Sequence, residues 1–193
     1  QKRLCLLGSS LSEIDALLIT HEHHDHIAGI KTLTANYNIP VITNYLTAEA
    51  IVETLDTCPH FKILTTGEPF SFKNIEVSTF SIQHDGVEPI AMTLHTGTHK
   101  VGICTDLGFV TKTVIHKLKM CNILLIEANH HPESVLASAR PEAYKKRVLG
   151  RLGHLSNQAC AELLAEVAHQ DLRQVYLAHL SSECNSPERA LST

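Results

Sequence analysis

The pattern of hydrophobic and polar positions divides the chain into short strands and helices. Apolar runs of about four to eight residues predict strands, and apolar residues three or four positions apart predict helices. The strands predicted in this way are Asp15–Thr20, Pro40–Thr43, Phe61–Leu64, Phe70–Phe72, Ile75–Ile82, Pro89–Thr96, His99–Thr105, Asn122–Ile126 and Gln174–Ala178. The predicted helices are Ile27–Asn36, Leu46–Leu55, Lys112–Leu118, Asn157–Ala168 and one that starts at Ser186. Strands and helices that alternate in this order are typical of an α/β fold.

The composition is that of one globular domain, which we expect to span residues 1–193. The chain is 44% hydrophobic and 19% charged, and its net charge of −4 gives no overall attraction to nucleic acid. Its six cysteines form no C-x-x-C pair, so we expect reduced core thiols in a cytoplasmic protein. No apolar run approaches the length of a membrane span, and no membrane partner is expected.

Metal-ligating side chains are concentrated in the stretch His21-Glu22-His23-His24-Asp25-His26, between the first predicted strand and the first predicted helix. Alternate residues that leave a strand point the same way, so His21 and His23 can share one ion. Asp25 and His26 can then turn toward a second ion. A run of solvated surface histidines is the simpler alternative, but it would not require this order of residues after a buried strand.

Three further candidate ligands each follow a predicted strand, namely His84, Asp106 and His179. With the first stretch they resemble the ligand pattern of the metallo-β-lactamase fold, a family of mostly binuclear metallohydrolases. The resemblance implies an αββα sandwich with its metals at one edge. Because only twenty residues precede His21, it also implies that the first N-terminal strands of the fold are lacking and that the domain is incomplete.

The resemblance implies a role for each ligand and two divalent cations, either zinc or manganese. Two such cations lower the pKa of a bridging water, so that a hydroxide nucleophile exists near neutral pH. Asp25 is therefore expected to be catalytic as well as a ligand, whereas Glu22 and His24 either orient the imidazoles or are ordinary loop residues. The implied ligands are His21, His23 and His84 for one metal, Asp25, His26 and His179 for the other, and Asp106 as the bridge.

Two more residues resemble the phosphodiesterase branch of the superfamily, which includes the tRNA 3′-end-processing nucleases. Glu127 ends a wholly apolar predicted strand, and His154 stands just before a predicted helix. In that branch a Glu and a His at these positions pair, and the His protonates the leaving oxygen. A carboxylate raises the pKa of an imidazole and so keeps this proton available. The alternative is that Glu127 merely ends a strand and His154 merely precedes a helix N-cap.

Basic residues are dense in the segment that leads up to His154. Such residues beside a metal site suit a phosphate backbone, so we expect them to contact a DNA substrate. The alternative is a solvated helix face. The residues concerned are Arg140, Lys145, Lys146, Arg147 and Arg151.

Four loops resemble the bacterial WalJ (YycJ-type) family over essentially the whole chain, although relatives commonly have Ser in place of His24. This resemblance implies a metal-dependent hydrolase that acts as a 5′-to-3′ exonuclease on DNA through the metal-bridged hydroxide. The loops lie at residues 128–133, 146–157, 178–181 and 184–188.

Other functions stay open at this stage. A thioester or lactone hydrolase of the glyoxalase type would share all seven ligands but would not require Glu127 with His154. An inactive metal-binding fragment is a further alternative. Only 22 positions separate His84 from Asp106, which leaves no room for the long tRNA-gripping arm or the large inserted domain of RNA-processing relatives.

Overall fold

The computed structural model describes residues 2–193, whose backbone contacts separate into two compact units. The smaller unit consists of the residues up to Thr66 together with Gly86–Pro89, and the larger unit of Gly67–Asp85 and Ile90–Thr193. Each unit contains one β-sheet and several helices, as an α/β fold requires. Among residues 2–193, no helix combines the length and the apolar character needed to cross a bilayer. The expectation of a single domain over residues 1–193 stays a prediction.

The smaller unit is built on a parallel three-stranded sheet in the order β1-β2-β3. Its buried core is apolar and consists of Ile19, Ile27, Ile30, Val41 and Ile51. Its elements are α1 (Lys2–Leu6), a 3-10 turn (Leu11–Glu13), β1 (Leu17–Leu18), α2 (His24–Ile27), α3 (Ile30–Tyr37), β2 (Val41–Thr43), α4 (Tyr45–Leu55) and β3 (Phe61–Ile63).

The helix predicted over residues 27–36 differs from what the structure contains. The structure has two helices there, because the His23 carbonyl already accepts the amide of Ile27 and starts α2 within the histidine-rich stretch. Gly29, a poor helix former, then separates α2 from α3. The hydrophobic pattern missed this early start because the residues of α2 are mostly polar.

The larger unit is built on a six-stranded sheet in which neighbours in sequence are neighbours in space. Strands β4 to β7 are antiparallel, and β7, β8 and β9 are parallel. Its elements are β4 (Phe70–Phe72), β5 (Ile75–Ser81), β6 (Ile90–His95), β7 (Lys100–Cys104), α5 (Lys112–Leu118), β8 (Ile123–Glu127), α6 (Pro132–Ala137), α7 (Glu142–Val148), α8 (Asn157–Val167), β9 (Gln174–Ala178) and α9 (Pro187–Ser192).

This strand order brings the carboxyl ends of four strands to one edge of the sheet. Strands β5 and β7 run in the same direction because both are antiparallel to β6, and β8 and β9 follow β7. Residues that follow these four strands in sequence therefore meet at the same edge, although they are far apart along the chain.

A buried apolar core stabilises the larger sheet and contains several of the cysteines. The core includes Leu124 and Ile126 of β8, and α5 and α8 pack against it through Leu118 and Leu163. The prediction of core thiols is right for the four buried cysteines and wrong for the two exposed ones. The buried cysteines are Cys104, Cys121, Cys160 and Cys184, and the exposed ones are Cys5 and Cys58.

Candidate metal centre

The histidine-rich stretch of the smaller unit occupies the loop after β1 and the first turn of α2, as the pattern predicts. The ring centroid of His21 lies 4.6 Å from that of His23 and 4.1 Å from that of His26. Asp25 is largely exposed, and its Oδ2 lies 3.5 Å from Nε2 of His26. The smaller unit thus gathers three imidazoles and a carboxylate on one short segment.

The structure also shows which neighbours orient the buried His21. Its Nδ1 forms a hydrogen bond of 3.0 Å with the Thr20 hydroxyl, so Nε2 is the ring atom suited to a metal. Glu22 does not take this role, because its Oε1 accepts the amide of Val87 at 2.9 Å instead. Glu22 therefore ties the stretch to the loop at residues 86–89, and Thr20 is a site residue that the sequence did not reveal.

In the larger unit, His84, Asp106 and His179 follow β5, β7 and β9 at the shared sheet edge. Asp106 has a backbone φ of 61° and His179 one of 54°, which residues other than glycine seldom adopt. Such strained conformations are concentrated at functional sites, where the surrounding structure enforces them. Both of these predicted ligands are thus held at a cost in local backbone energy.

His84 is fully buried and has its tautomer set by a main-chain group. Its Nδ1 donates to the carbonyl of Gly153 at 2.9 Å, which leaves the lone pair on Nε2. Burial lowers the pKa of His84, which favours the neutral ring that binds a metal. Gly153 has to be glycine, because a Cβ there would lie 2.2 Å from the carbonyl oxygens of Arg147 and Val148.

Glu127 connects the remaining groups at the same edge. Its Oε1 accepts from Nδ1 of His154 at 2.9 Å and from Nδ1 of His179 at 2.7 Å. Its Oε2 accepts the amides of Leu107 at 3.0 Å and Leu155 at 2.9 Å. The carboxylate therefore pairs with His154, as the sequence predicts, and also with His179, which the sequence did not indicate.

The electrostatics of Glu127 favour its charged form. Burial alone would raise the pKa of this carboxyl, but hydrogen bonds from His154 and His179 outweigh burial and lower it. An ionised carboxylate in turn keeps a proton on Nδ1 of both rings and directs both Nε2 atoms away from itself. The pair of histidines is thereby fixed in one tautomer.

The donor set of the larger unit fits a divalent cation. Ligand atoms of Asp106, Glu127, His154 and His179 all lie within 4.8 Å of one another. Imidazole nitrogen and carboxylate oxygen are ligands that zinc and manganese accept in proteins. Carboxylate–imidazole pairs of the kind formed by Glu127 and His179 are common behind metal-bound histidines.

The basic segment adopts helix α7 and the loop after it, and several of its charges have partners within the larger unit. Arg140 pairs with Glu183, Lys145 with Glu142, and Arg147 with Asp85. The guanidinium of Arg151 lies 4.1 Å from the ring centroid of Phe109. Lys146 and Arg151 are exposed and have no acidic partner among the ion pairs of this unit, so they are the better placed for a phosphate contact.

Comparison with known proteins assigns the chain to a family. Residues 1–180 match the Beta-lactamase superfamily domain family. The chain is 32% identical to Exodeoxyribonuclease YycJ of Bacillus anthracis over 183 residues, which cover 94% of this chain and 69% of that protein. It is also 32% identical to Exodeoxyribonuclease WalJ of Streptococcus pneumoniae over 186 residues, with 94% of this chain and 69% of that protein covered.

Solved structures show the same fold at lower identity. The metallo-β-lactamase fold protein YhfI from Bacillus subtilis gives a TM-score of 0.72 at 19% identity, covering 97% of this chain and 73% of that one. Human tRNase Z, short form, gives 0.66 at 16% identity, covering 94% and 78%. These likenesses define a metallo-β-lactamase-fold protein and confirm the predicted fold class. The chain belongs to the Beta-lactamase superfamily domain family and, within it, is of the WalJ/YycJ type.

Proposed function

We propose that this chain is a metal-dependent phosphodiesterase that degrades DNA as a 5′-to-3′ exonuclease. Two relatives that are 32% identical to it over 94% of the chain are named exodeoxyribonucleases. The single observation that carries the proposal is the hydrogen bond of 2.9 Å between Glu127 and His154, next to Asp106 and His179. A hydrolase of thioesters or lactones, whose leaving groups depart readily, would not require this pair.

Seven residues are proposed to hold two divalent metal ions, either zinc or manganese. When bound, such ions lower the pKa of water enough for a hydroxide nucleophile to exist near neutral pH. The proposed ligands are His21, His23, Asp25, His26, His84, Asp106 and His179. The donor chemistry of both units supports this assignment, as does the strained backbone of Asp106 and His179.

His154 is proposed to supply a proton to the departing oxygen of the phosphodiester. Glu127 keeps one proton on Nδ1, so His154 would donate from Nε2 when its ring carries a second proton there. The His154 side chain is 13% exposed, which gives it access to a substrate, whereas Glu127 has no exposed side-chain area. Glu127 therefore acts by orienting His154, and it does not itself touch the substrate.

Phosphate contacts are proposed for the basic segment, chiefly for Lys146 and Arg151. Arg140, Lys145 and Arg147 are already paired with carboxylates and would contribute less. Contacts of this kind act on the phosphate backbone and carry no base specificity. We also propose a cytoplasmic location.

The deciding experiment is the cleavage of 5′-phosphorylated DNA, single- and double-stranded, by metal-loaded protein and by its His84→Ala variant. We expect manganese or zinc to support cleavage, product release to proceed from the 5′ end, and the variant to be inactive. A folded, metal-loaded protein that leaves DNA intact but hydrolyses thioesters would replace this proposal by a glyoxalase-type activity. A folded protein that binds neither metal would identify an inactive fragment.

A further inference from the structure

Asn129 occupies an unusual place at the sheet edge, directly after β8. Strands β8 and β9 are paired up to Glu127 and Ala178, and the amide of Ala128 still reaches the carbonyl of Ala178 at 3.1 Å. At the next position the hydrogen bond to the neighbouring chain is donated by a side chain instead of a main-chain amide. Nδ2 of Asn129 donates to the carbonyl of His179 at 2.7 Å.

This contact holds the residue whose backbone is strained. His179 has a φ of 54°, which turns its carbonyl away from the regular parallel ladder. Beyond it, the amide of Ser181 donates to the main-chain carbonyl of Asn129 at 2.8 Å. Asn129 therefore forms hydrogen bonds with the chain at both ends of this turn, at His179 and at Ser181.

The main chain of Asn129 also reaches the loop of the other histidine. Its amide donates to the carbonyl of Leu155 at 2.8 Å, one residue after His154. Asn129 itself is 8% exposed and is fixed by Asn185, whose Nδ2 donates to the carbonyls of Ala128 at 2.7 Å and Asn129 at 3.1 Å. These main-chain contacts remain when Asn129 is replaced by Ala. The substitution removes the bonds of the side-chain amide, which go to the carbonyl of His179 and, at 3.3 Å, to Nδ1 of His130.

We propose that Asn129 is a positioning residue that fixes the backbone of His179 relative to His154, so that both imidazoles reach the carboxylate of Glu127 in register. This inference rests on the proposed function, because it takes His179 to be a metal ligand. Groups behind a ligand typically change metal affinity or activity by about 10- to 100-fold when they are removed. A loss of zinc affinity in that range is the effect we expect for Asn129→Ala.

A matched control exists at the opposite end of the same strand. Asn122 precedes β8, accepts the amide of Lys100 at 2.8 Å, and donates to the carbonyl of Asp171 at 3.2 Å. Asn122→Ala removes a comparable link between β8 and its neighbours, but far from the histidines. It should lower stability without weakening zinc binding.

The test measures zinc affinity by competition with a chromogenic chelator, and stability by urea denaturation of the metal-free protein. Asn129→Ala and the milder Asn129→Ser are compared with Asn122→Ala, and Asn129→Ala is also made in a His179→Ala background. If Asn129 acts through His179, its removal causes no further loss of zinc affinity in that background.

Equal losses of zinc affinity in the Asn129 and Asn122 variants would overturn the inference, as would additive losses in the double variant. If Asn129→Ala fails to fold, Asn129→Ser decides on the same criteria. Absence of zinc binding by the unaltered protein would instead contradict the proposed metal centre itself. The two failures are therefore distinguishable.

Discussion

Replacing Glu127 by Gln tests the arrangement of the larger unit most directly, because an amide cannot accept from four donors. Oε1 of Glu127 accepts from His154 and His179, and Oε2 accepts from the amides of Leu107 and Leu155. Glutamine keeps one oxygen and presents an NH2 group at the other position. Two of the four donors therefore lose their acceptor whichever way the side chain is turned.

The two orientations have different consequences. With the amide oxygen toward the imidazoles, two buried main-chain N–H groups are left unsatisfied at about 1–3 kcal/mol each, or about 2–6 kcal/mol in total. That is a large part of the roughly 5–15 kcal/mol that stabilises a typical domain. With the NH2 group toward the imidazoles, both rings accept it only by moving their proton to Nε2. His179 would then lack the lone pair that a metal requires.

Glu127→Gln is therefore expected to lose stability, zinc affinity or both. The assay is urea denaturation of the metal-free protein together with zinc competition on the metal-loaded protein. Glu162→Gln is the matched control, since Glu162 is exposed and accepts from Gln158, one turn earlier in α8. A Glu127→Gln variant with an unchanged free energy of unfolding and an unchanged zinc affinity would refute the role assigned to this carboxylate.

Further predictions follow from the same contacts. His154→Ala should lower the hydrolysis rate of a phosphodiester with a poor leaving group by about 10²- to 10⁴-fold while the metal content stays intact; loss of the metals, or a full rate, would contradict its role as proton donor. Removing metal with a chelator should lower the melting temperature, and zinc or manganese should restore it; a melting curve indifferent to both would count against the metal centre. Burial lowers the pKa of His130 to about 4. As the pH falls below about 6.5, His130 therefore gains a proton in the unfolded chain but stays neutral in the folded chain. Stability should then decline between these values, by on the order of 3 kcal/mol, and His130→Gln should show a shallower decline in urea denaturation at pH 7 and pH 5. Lys146→Ala and Arg151→Ala should each reduce the slope of log DNA affinity against log salt concentration by about one, whereas Arg140→Ala should not. Equal slopes for all three variants would show that Lys146 and Arg151 do not contact the DNA.

Much of the architecture could be predicted because it depends on local pattern. The bounds of α5 and β4 match the predicted ones, since a helical period and a short apolar run determine these elements without help from distant residues. Helices α6 and α7 were not predicted because they bury few apolar residues. The available signals were Pro132 and Glu133 in the first turn of α6 and Glu142 in the first turn of α7.

For the candidate site, too, the sequence predicted some features and missed others. Residue types that follow predicted strands indicated the seven candidate ligands. The resemblance to known families implied their roles and the pairing of Glu127 with His154. The sequence did not reveal that Glu127 accepts from both His154 and His179. Nor did it reveal that the Gly153 carbonyl binds the ring of His84, or that the Asn129 side chain binds the carbonyl of His179.

The sequence by itself thus determined the class of fold and the chemistry of the donors, since both follow from residue types and local spacing. Only the tertiary structure decided the tautomers, the strained backbone of Asp106 and His179, and the pairing of Arg140 and Arg147 with carboxylates. Most of those features depend on which atoms meet across many positions of the chain, 27 between Glu127 and His154, 43 between Arg140 and Glu183 and 62 between Asp85 and Arg147. Every residue has a main-chain carbonyl and every residue except proline an N–H, so no local pattern indicates which of them will bind a given side chain.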